Sequence, residues 1–358
     1  MSEILEYSCP CCGGAITFDA ASQKMKCPYC DTEFEVDTLK EFAKESGEDR
    51  NPSWEEETVE RTREEFSPGD GLVSYVCESC GGEILGDESM AASRCPYCDN
   101  PVIVKKQLSG ALRPDLVIPF KLDKKAAVER LRGHLKGKLL LPNAFKTENK
   151  LQELKGVYVP FWLYDCDAQA DIRCRGTRIR VWRRGDREYT ETSHYLVSRS
   201  GKIGFDAVPV DGSRKMADDL MESIEPFRYQ DAVEFQNGYL AGYLADRYDL
   251  SSGECAGRAN ERIRESTEKA FLDTIHGYEI CEPWHTDIRL ERGKITYALL
   301  PVWILHTRYR GKLYTFAMNG QTGKFVGDLP ADKRKAVLAG LAGFLLGAVL
   351  AGLVTMLF

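Results

Sequence analysis

Cys9-Pro-Cys-Cys12 and Cys27-Pro-Tyr-Cys30 recur sixty-eight residues later as Cys77-Glu-Ser-Cys80 and Cys95-Pro-Tyr-Cys98. In each copy fourteen residues separate the two Cys-x-x-Cys pairs, and a glycine pair follows the first of them. Two such pairs on facing turns direct four thiolates at one point, which is the donor set of a closed tetrahedral zinc site. The spacing therefore predicts two zinc ribbons, with the ligands Cys9, Cys12, Cys27, Cys30 and Cys77, Cys80, Cys95, Cys98.

Zinc is the expected cofactor, two ions per chain, although iron also suits a four-thiolate cage and the spacing does not separate the two metals. A module of some thirty residues is too small to fold on an apolar core alone, so the metal is expected to stabilise it. Cys11 aligns with Ser79 and not with a ligand, and its role stays open. A disulfide framework is disfavoured because no signal peptide is recognisable.

An uncharged, apolar run extends from Ala336 to Phe358, directly after Lys333, Arg334 and Lys335. As a helix the run is long enough to cross a hydrocarbon core, and the preceding positive charges favour a cytoplasmic N-terminus. We therefore expect a transmembrane helix over 336–358, a single-pass tail anchor in the lipid of the cell membrane. Small residues along one face would permit helix pairing and a homo-oligomer; they are Ala339, Gly343, Gly347 and Ala351.

Composition divides the 358 residues into a first ribbon (1–36), a linker (37–70), a second ribbon (71–105), a globular domain (106–330) and the C-terminal helix (336–358). The linker holds twelve acidic residues against five basic ones, and its net charge of −7 equals that of the whole chain. Such a segment is expected to be a hydrated, flexible spacer. Trp54 and Phe66 are its two candidates for docking.

The globular domain mixes helical and alternating patterns, which predicts a central α+β domain between the ribbons and the transmembrane helix. Asp123 is placed to cap a helix that carries Ala127, Leu131 and Leu135, and Ser251 with Glu254 forms a capping box for a second helix. Turns are expected at Gly293, Gly311 and Asn319-Gly320. The candidate strands are 116–120, 157–164, 179–182, 288–290, 296–306 and 312–318.

Two of these strands share a motif, Val159-Pro-Phe-Trp-Leu163 and Leu300-Pro-Val-Trp-Ile304. The favoured interpretation is that each proline begins a buried strand and each tryptophan fills a core. An internal duplication stays open as the alternative.

Seven arginines fall between positions 173 and 187. Four of these arginines alternate with apolar residues, which predicts that they lie on one face of a hairpin. The candidate residues for contact with an anion are Arg173, Arg175, Arg178 and Arg180. A solvated strand face is the favoured interpretation. Lipid headgroups, the acidic linker and nucleic acid are the alternatives.

Enzymatic motifs are missing from the sequence. No phosphate-binding loop, no His-Glu-x-x-His and no Gly-x-Ser-x-Gly occurs, and the five histidines are scattered. We therefore predict a non-enzymatic protein and nominate no catalytic residue.

The chain resembles the bacterial TFIIB-type zinc ribbon-containing membrane proteins. The resemblance rests on the Cys-Pro-Tyr-Cys ribbons, the apolar C-terminus, and the segments Ile118-Pro-Phe-Lys121, Leu141-Pro142 and Gly156–Tyr164. The resemblance implies a cytosol-facing adaptor or recruiting scaffold with a role in the membrane stress response. It also implies partners such as SPFH-domain or PspA-like proteins. A nucleic-acid-binding or transcription-related protein is the alternative, but the ribbons hold few basic residues, which argues against nucleic acid as a partner.

Overall fold

The computed structural model describes residues 9–12, 14–20, 22–37, 39, 54, 65–66, 72–87, 95–98, 100, 103–107 and 112–357, without the side chains of 87, 103–107, 148–149, 292, 342, 345–346, 349–351 and 353–357. Strands account for 43% of the described residues and helices for 24%, so the predicted α+β class is wrong and the fold is mostly sheet. The physical reason is that three strands of 25 to 30 residues replace the short strands that the sequence suggested.

Fourteen strands are assigned in the described part of the chain. They are β1 Thr17–Asp19, β2 Lys24–Lys26, β3 Glu33–Phe34, β4 Leu72–Cys77, β5 Glu83–Asp87, β6 Ile103–Gln107, β7 Leu116–Val117, β8 Lys155–Arg184, β9 Arg187–Asp211, β10 Val233–Glu234, β11 Leu244–Asp246, β12 Ile280–Tyr309, β13 Lys312–Asn319 and β14 Phe325–Gly327. The α-helices are α1 Lys124–Leu135, α2 Glu148–Leu151, α3 Asp218–Ser223, α4 Ser252–Leu272 and α5 Lys333–Leu357. Short 3-10 turns cover Asn143–Phe145, Tyr229–Asp231 and Asn237–Leu240.

The chain divides into two compact units. The first comprises Met1–Trp54, Asp165–Val208 and Gly257–Lys294, and the second comprises Glu55–Tyr164, Pro209–Ala256 and Ile295–Phe358. The first unit contains the small sheet β1-β2-β3 of the first ribbon. In the second unit, β4, β5 and β6 of the second ribbon belong to a larger sheet, because β5 pairs antiparallel with β11.

Both helices that the sequence predicted are present with their predicted caps. The Asp123 carboxylate accepts a hydrogen bond from the backbone N–H of Ala126 at 2.7 Å and begins α1. The capping box of α4 is complete, since the Glu254 carboxylate accepts from Ser251 N at 2.8 Å while Ser251 Oγ accepts from Glu254 N at 3.3 Å. These local signals were sufficient because both partners of each bond lie within one helical turn.

The turn predicted at Gly293 is wrong, because β12 continues through this residue without interruption. Gly293 is instead a point of close approach: a Cβ added there would lie 2.5 Å from the indole ring of Trp54. The turn at Gly311, which has φ +79°, is confirmed and joins β12 to β13 in a hairpin.

Two matched series of elements, β7-α1-β8-β9 and β11-α4-β12-β13, follow one another along the chain. Each short strand pairs in parallel with the long strand of the other repeat. Leu116 lies opposite Ala298 in the first such pair, and Leu244 lies opposite Val157 in the second. Neither repeat can therefore complete its own sheet without the other.

The tryptophans of the two shared motifs make the same contact in both repeats. Trp303 Nε1 donates to the carbonyl of Leu122 at 3.2 Å, and Trp162 Nε1 donates to the carbonyl of Leu250 at 2.9 Å. Both tryptophans are buried, as the favoured interpretation of the motifs required, but Pro160 and Pro301 lie inside β8 and β12 and do not begin these strands. The matching contacts also support the internal duplication.

The backbone hydrogen bonds between the motif prolines and the hairpin ends also match in the two repeats. The carbonyl of Pro301 accepts from Gly320 N at 2.8 Å, and that of Pro160 accepts from Gly212 N at 2.9 Å. Each of these glycine carbonyls in turn accepts from two backbone amides just before the N-cap of the helix in the other repeat. These donors are Lys121 and Leu122 for Gly320, and Asp249 and Leu250 for Gly212.

The two candidate docking residues of the acidic linker, Trp54 and Phe66, are both buried. At these two positions the linker is therefore packed against the fold and is not a free spacer. Trp54 is buried in the first unit, where its Nε1 donates to Asn260 Oδ1 at 3.2 Å. Phe66 is buried in the second unit and packs edge-on against Phe235. Residues 40–53, 55–64 and 67–70 lie outside the described part.

The C-terminal run forms the helix α5, which begins at Lys333. Over the residues that the structure describes, no helix combines the length and the apolar character that a membrane crossing needs. Side chains of α5 are described only at 333–341, 343–344, 347–348 and 352. This finding overturns the transmembrane helix predicted over 336–358, and with it the tail anchor and the single-pass localisation in the cell membrane with a cytoplasmic N-terminus.

Candidate metal centres

In the first unit, the turns around Cys9 and Cys27 bring four sulfurs together. Cys9 N donates to Gly14 O at 2.7 Å and Cys27 N donates to Thr32 O at 3.0 Å, which closes each turn on itself. The Sγ atoms of Cys9 and Cys30 are then 3.6 Å apart, and those of Cys12 and Cys27 are 3.5 Å apart. All four sulfurs lie within 4.8 Å of one another.

The second cluster repeats this geometry in the second unit. The Sγ atoms of Cys77 and Cys98 are 3.6 Å apart, as are those of Cys80 and Cys95. Gly81, the first glycine after the leading pair, adopts φ +70°, a left-handed conformation that glycine adopts more readily than other residues. Its counterpart Gly13 lies outside the described residues.

Both sulfur sets fit a tetrahedral metal ion. Zinc–sulfur bonds of about 2.3 Å in a tetrahedron place the sulfurs roughly 3.8 Å apart, close to the separations in both clusters. A disulfide needs about 2.05 Å and is therefore not formed, and all thirteen cysteines are free. Within the described residues, these two clusters are the groups of cysteine, histidine or acidic side chains able to hold a metal ion.

The protonation of the thiols shows why such a cluster suits a cation. Hydrogen bonding from Thr32 lowers the pKa of Cys30 to about 6. Burial raises the pKa of Cys77, but the backbone amides of Cys80 and Ser79 outweigh it and bring the pKa to about 7. Burial raises the pKa of Cys9 and of Cys95. Without a cation, each cluster therefore holds thiols that resist ionisation beside thiols that favour it, and a divalent ion would stabilise all four thiolates together.

Cys11 is placed beside the first cluster and is not one of its four members. Its carbonyl accepts a hydrogen bond from Arg175 Nη1 at 3.0 Å, and burial raises the pKa of its thiol. Arg175 also forms an ion pair with Glu282 on β12. The first ribbon is thus attached to the long strands of its own unit through Cys11.

The second ribbon is attached to its unit at more points. His306 Nε2 donates to the carbonyl of Pro96, while His306 Nδ1 accepts from the Thr315 hydroxyl at 2.9 Å. Arg308 and Lys155 each donate at 3.4 Å to a backbone carbonyl of the trailing Cys-Pro-Tyr-Cys turn. These contacts orient the turn that supplies two of the four sulfurs.

A buried charged cluster covers the same turn. The Lys215 ammonium lies 5.6 Å from the centre of the Tyr97 ring and forms an ion pair with Asp246 at 2.9 Å. Ser213 Oγ donates to the second oxygen of Asp246 at 2.6 Å. No sequence motif indicated this cluster, because Lys215 and Asp246 lie more than a hundred residues from the cysteines of the ribbon.

The four candidate anion-binding arginines have different partners, and anion binding by them stays a prediction. Arg173 forms an ion pair with Asp171 at 3.3 Å. Arg175 donates to the carbonyl of Cys11 in the first ribbon. Arg178 donates to the carbonyl of Gly277 at 3.1 Å. Arg180 is exposed, with its guanidinium 6.0 Å from the centre of the Trp182 ring.

The small residues proposed for helix pairing have no described neighbour from another element. Ala339 is exposed, and nothing lies within 4 Å of a Cβ added to Gly343 or Gly347. The side chain of Ala351 lies outside the described set. Helix pairing through these residues stays a prediction.

Together, the fold and the sites define a mostly β protein with two four-cysteine clusters, each of which could hold a metal ion. No family model matches the chain, and no solved structure matches it. It is 32% identical over 342 residues to "Uncharacterized protein YdjG" of Bacillus subtilis (strain 168), with 95% of each chain covered. The chain belongs to the YdjG family.

Proposed function

We propose that this protein is a non-enzymatic, zinc-dependent scaffold that holds a partner protein. The observation that carries the proposal is the pair of closed four-sulfur centres, each fixed to its own unit by bonds to the backbone of the ribbon. A tetrahedral ion with four thiolates has no free position for a substrate or a water nucleophile. The metal therefore serves to shape a surface and not to carry out a reaction.

Zinc is the metal of this proposal. It forms no redox couple in the cell, prefers tetrahedral thiolate sites and supplies folding energy of about 10–16 kcal/mol in small zinc-finger peptides. Iron is the competitor that the same four sulfurs would accept. Metal analysis of the purified chain separates them: we expect two zinc ions per chain, and the visible absorption of an iron–thiolate centre would refute the assignment.

Two clefts of the described residues have volumes of 590 and 610 Å³. Neither is lined by a histidine, cysteine or serine, so the Ser–His and Cys–His pairs that are common in covalent catalysis do not occur in these two linings.

Copurification tests the scaffold role. The intact chain, Cys27→Ser and Cys11→Ser are each isolated with their bound proteins under identical conditions. Cys27→Ser removes a ligand of the first centre, whereas Cys11→Ser changes a neighbouring thiol outside the cluster and is the matched control. We expect Cys11→Ser to retain two metal ions and its partners, and Cys27→Ser to lose one ion and those partners that the first ribbon holds. The same partners on all three chains would contradict a role for the first ribbon.

One observation favours nucleic-acid binding as a second candidate. The end of the β8–β9 hairpin, residues 178–192, is exposed on both faces apart from the stacking of Trp182 on Tyr189, whose ring centres are 5.6 Å apart. Arginines beside stacked aromatic rings suit single-stranded nucleic acid. A salt-dependent gel shift with a single-stranded oligonucleotide, lost in Trp182→Ala, would support this function.

A further inference from the structure

The two ribbons carry the same tyrosine in the same place. Tyr29 and Tyr97 occupy the third position of the two Cys-Pro-Tyr-Cys turns, and each ring lies on the second glycine after the leading cysteine pair. A Cβ added to Gly14 would lie 2.5 Å from the Tyr29 ring, and one added to Gly82 would lie 3.3 Å from the Tyr97 ring. One face of each ring is therefore occupied by its own ribbon.

A lysine also lies against the Tyr97 ring. Lys215 Cδ would lie 3.5 Å from a Cβ at Gly82, and its ammonium lies over the Tyr97 ring at 5.6 Å from the centre. The carboxylates of Asp246, at 2.9 Å, and Asp249, at 3.6 Å, balance its charge. Tyr97 is only 7% exposed as a result.

Among the described residues, no lysine or arginine lies over the Tyr29 ring, which is 75% exposed. Its surroundings are acidic, because residues 9–37 contain five acidic and two basic side chains and thus carry a net charge of −3 before the cysteines are counted. Lys24 and Lys26 are engaged with Glu35 at 3.0 Å and Asp31 at 3.6 Å. A zinc ion with four thiolates would add a net −2. The exposed ring therefore lies in a negative field that attracts cations.

We propose that the exposed face of Tyr29 binds a lysine side chain of a basic polypeptide segment, in the way that Lys215 binds Tyr97. The proposal rests on the scaffold function above and names the chemistry of the partner. The two ribbons then differ in use: the second is bound internally by the chain's own lysine, and the first presents the same tyrosine to another protein.

The probe is a peptide with the sequence of the segment that contains Lys215. It comprises residues 212–217, Gly-Ser-Arg-Lys-Met-Ala, with blocked ends, and its control carries norleucine in place of the lysine. Ring signals of tyrosine-labelled, zinc-loaded full-length chain are followed by NMR during titration, and the Tyr29 signal is assigned from its loss in Tyr29→Leu. We expect the Tyr29 ring to shift and the Tyr97 ring to stay unchanged. A cation–π contact at an exposed site predicts binding of the lysine peptide about two- to five-fold tighter than that of the norleucine peptide.

An unshifted Tyr29 ring, or equal binding of the two peptides, would overturn the proposal. Tyr29→Phe, which keeps the aromatic face, should retain the two- to five-fold preference, whereas Tyr29→Leu should lose it while still binding two metal ions. Copurification separates this proposal from the scaffold function. If Cys27→Ser loses partners that Tyr29→Leu retains, the scaffold function stands and the lysine site is wrong.

Discussion

Removal of one metal ligand should affect the two ribbons unequally, and Cys27→Ser and Cys95→Ser are a matched pair for this comparison. The two cysteines occupy equivalent positions in the repeated motif, and both are fully buried. Each substitution is expected to reduce the metal content from two ions to one. The difference lies in what each ribbon supports.

Loss of the second centre should destabilise the whole second unit. Tyr75, Ile84 and Leu85 of this ribbon are at most 7% exposed, and Leu85 lies opposite Ala245 of β11 in the large sheet. Burial of a large apolar side chain contributes about 1.5–3 kcal/mol, so exposure of these three would cost roughly 4–9 kcal/mol. Domains are stable by about 5–15 kcal/mol, which makes this loss comparable to the total.

Loss of the first centre should have a smaller effect outside its own ribbon. Ile16, Phe34 and Leu39 form its small core, and Leu196 is the partly buried apolar side chain from beyond the ribbon that packs on it in the described structure. The sheet of this ribbon, β1-β2-β3, pairs with no other described strand. We expect a cost of about 1–2 kcal/mol for the rest of the unit, mainly from the contacts of Leu196 and Arg175.

Thermal unfolding followed by tryptophan fluorescence measures the difference, because Trp162 and Trp303 report on the core of the second unit. For domains of 150–250 residues each kcal/mol shifts Tm by roughly 2–4 °C, so Cys95→Ser should lower the transition by at least about 8 °C. Cys27→Ser should shift this transition by a few degrees at most. Equal shifts, or a larger one for Cys27→Ser, would refute the inference that only the second ribbon is part of a larger core.

Asp211→Asn should stabilise the protein at neutral and alkaline pH. Burial raises the pKa of Asp211 well above its ordinary value, so its stabilising contribution is present below about pH 4 and is lost as the pH rises through the folded-state pKa. We expect a gain of at least about 1 kcal/mol in urea unfolding at pH 8 and none at pH 4, and a less stable variant at pH 8 would contradict this. Trp54→Ala should cost about 3–5 kcal/mol in the first unit, measured by calorimetry, because a buried ring and its bond to Asn260 are lost. Gly293→Ala should act through the same contact, so the double variant should cost clearly less than the sum of the two single ones.

The metal centres and the helix caps could be predicted because their determinants are local in sequence. Cys12 and Cys27 are separated by one short hairpin, and Ser251 and Glu254 by less than one helical turn. Gly293 could not be interpreted correctly, because the Trp54 ring that requires a glycine there is 239 residues away in the sequence. Phe66 was a candidate for docking, but its partner Phe235 could not be predicted, because it too is distant in the sequence.

The duplication explains why the second ribbon could be incorporated into the fold. After the shared glycine contact, one hairpin end continues as Gly212-Ser-Arg-Lys215 and the other as Gly320-Gln-Thr-Gly323. In the second copy, Asn319 Nδ2 donates to the carbonyls of Ile224 and Pro226 and thereby holds a loop of the same unit. In the first copy, the equivalent hairpin end places Lys215 over the ribbon. The equivalent hairpin ends thus contact a loop in one repeat and the four-cysteine ribbon in the other. The lysine that contacts the second ribbon belongs to the repeat and not to the ribbon, so the aromatic turn of a ribbon is a surface that a lysine can recognise. The first ribbon has the same aromatic turn at Tyr29. Its own Lys24 and Lys26 pair with carboxylates.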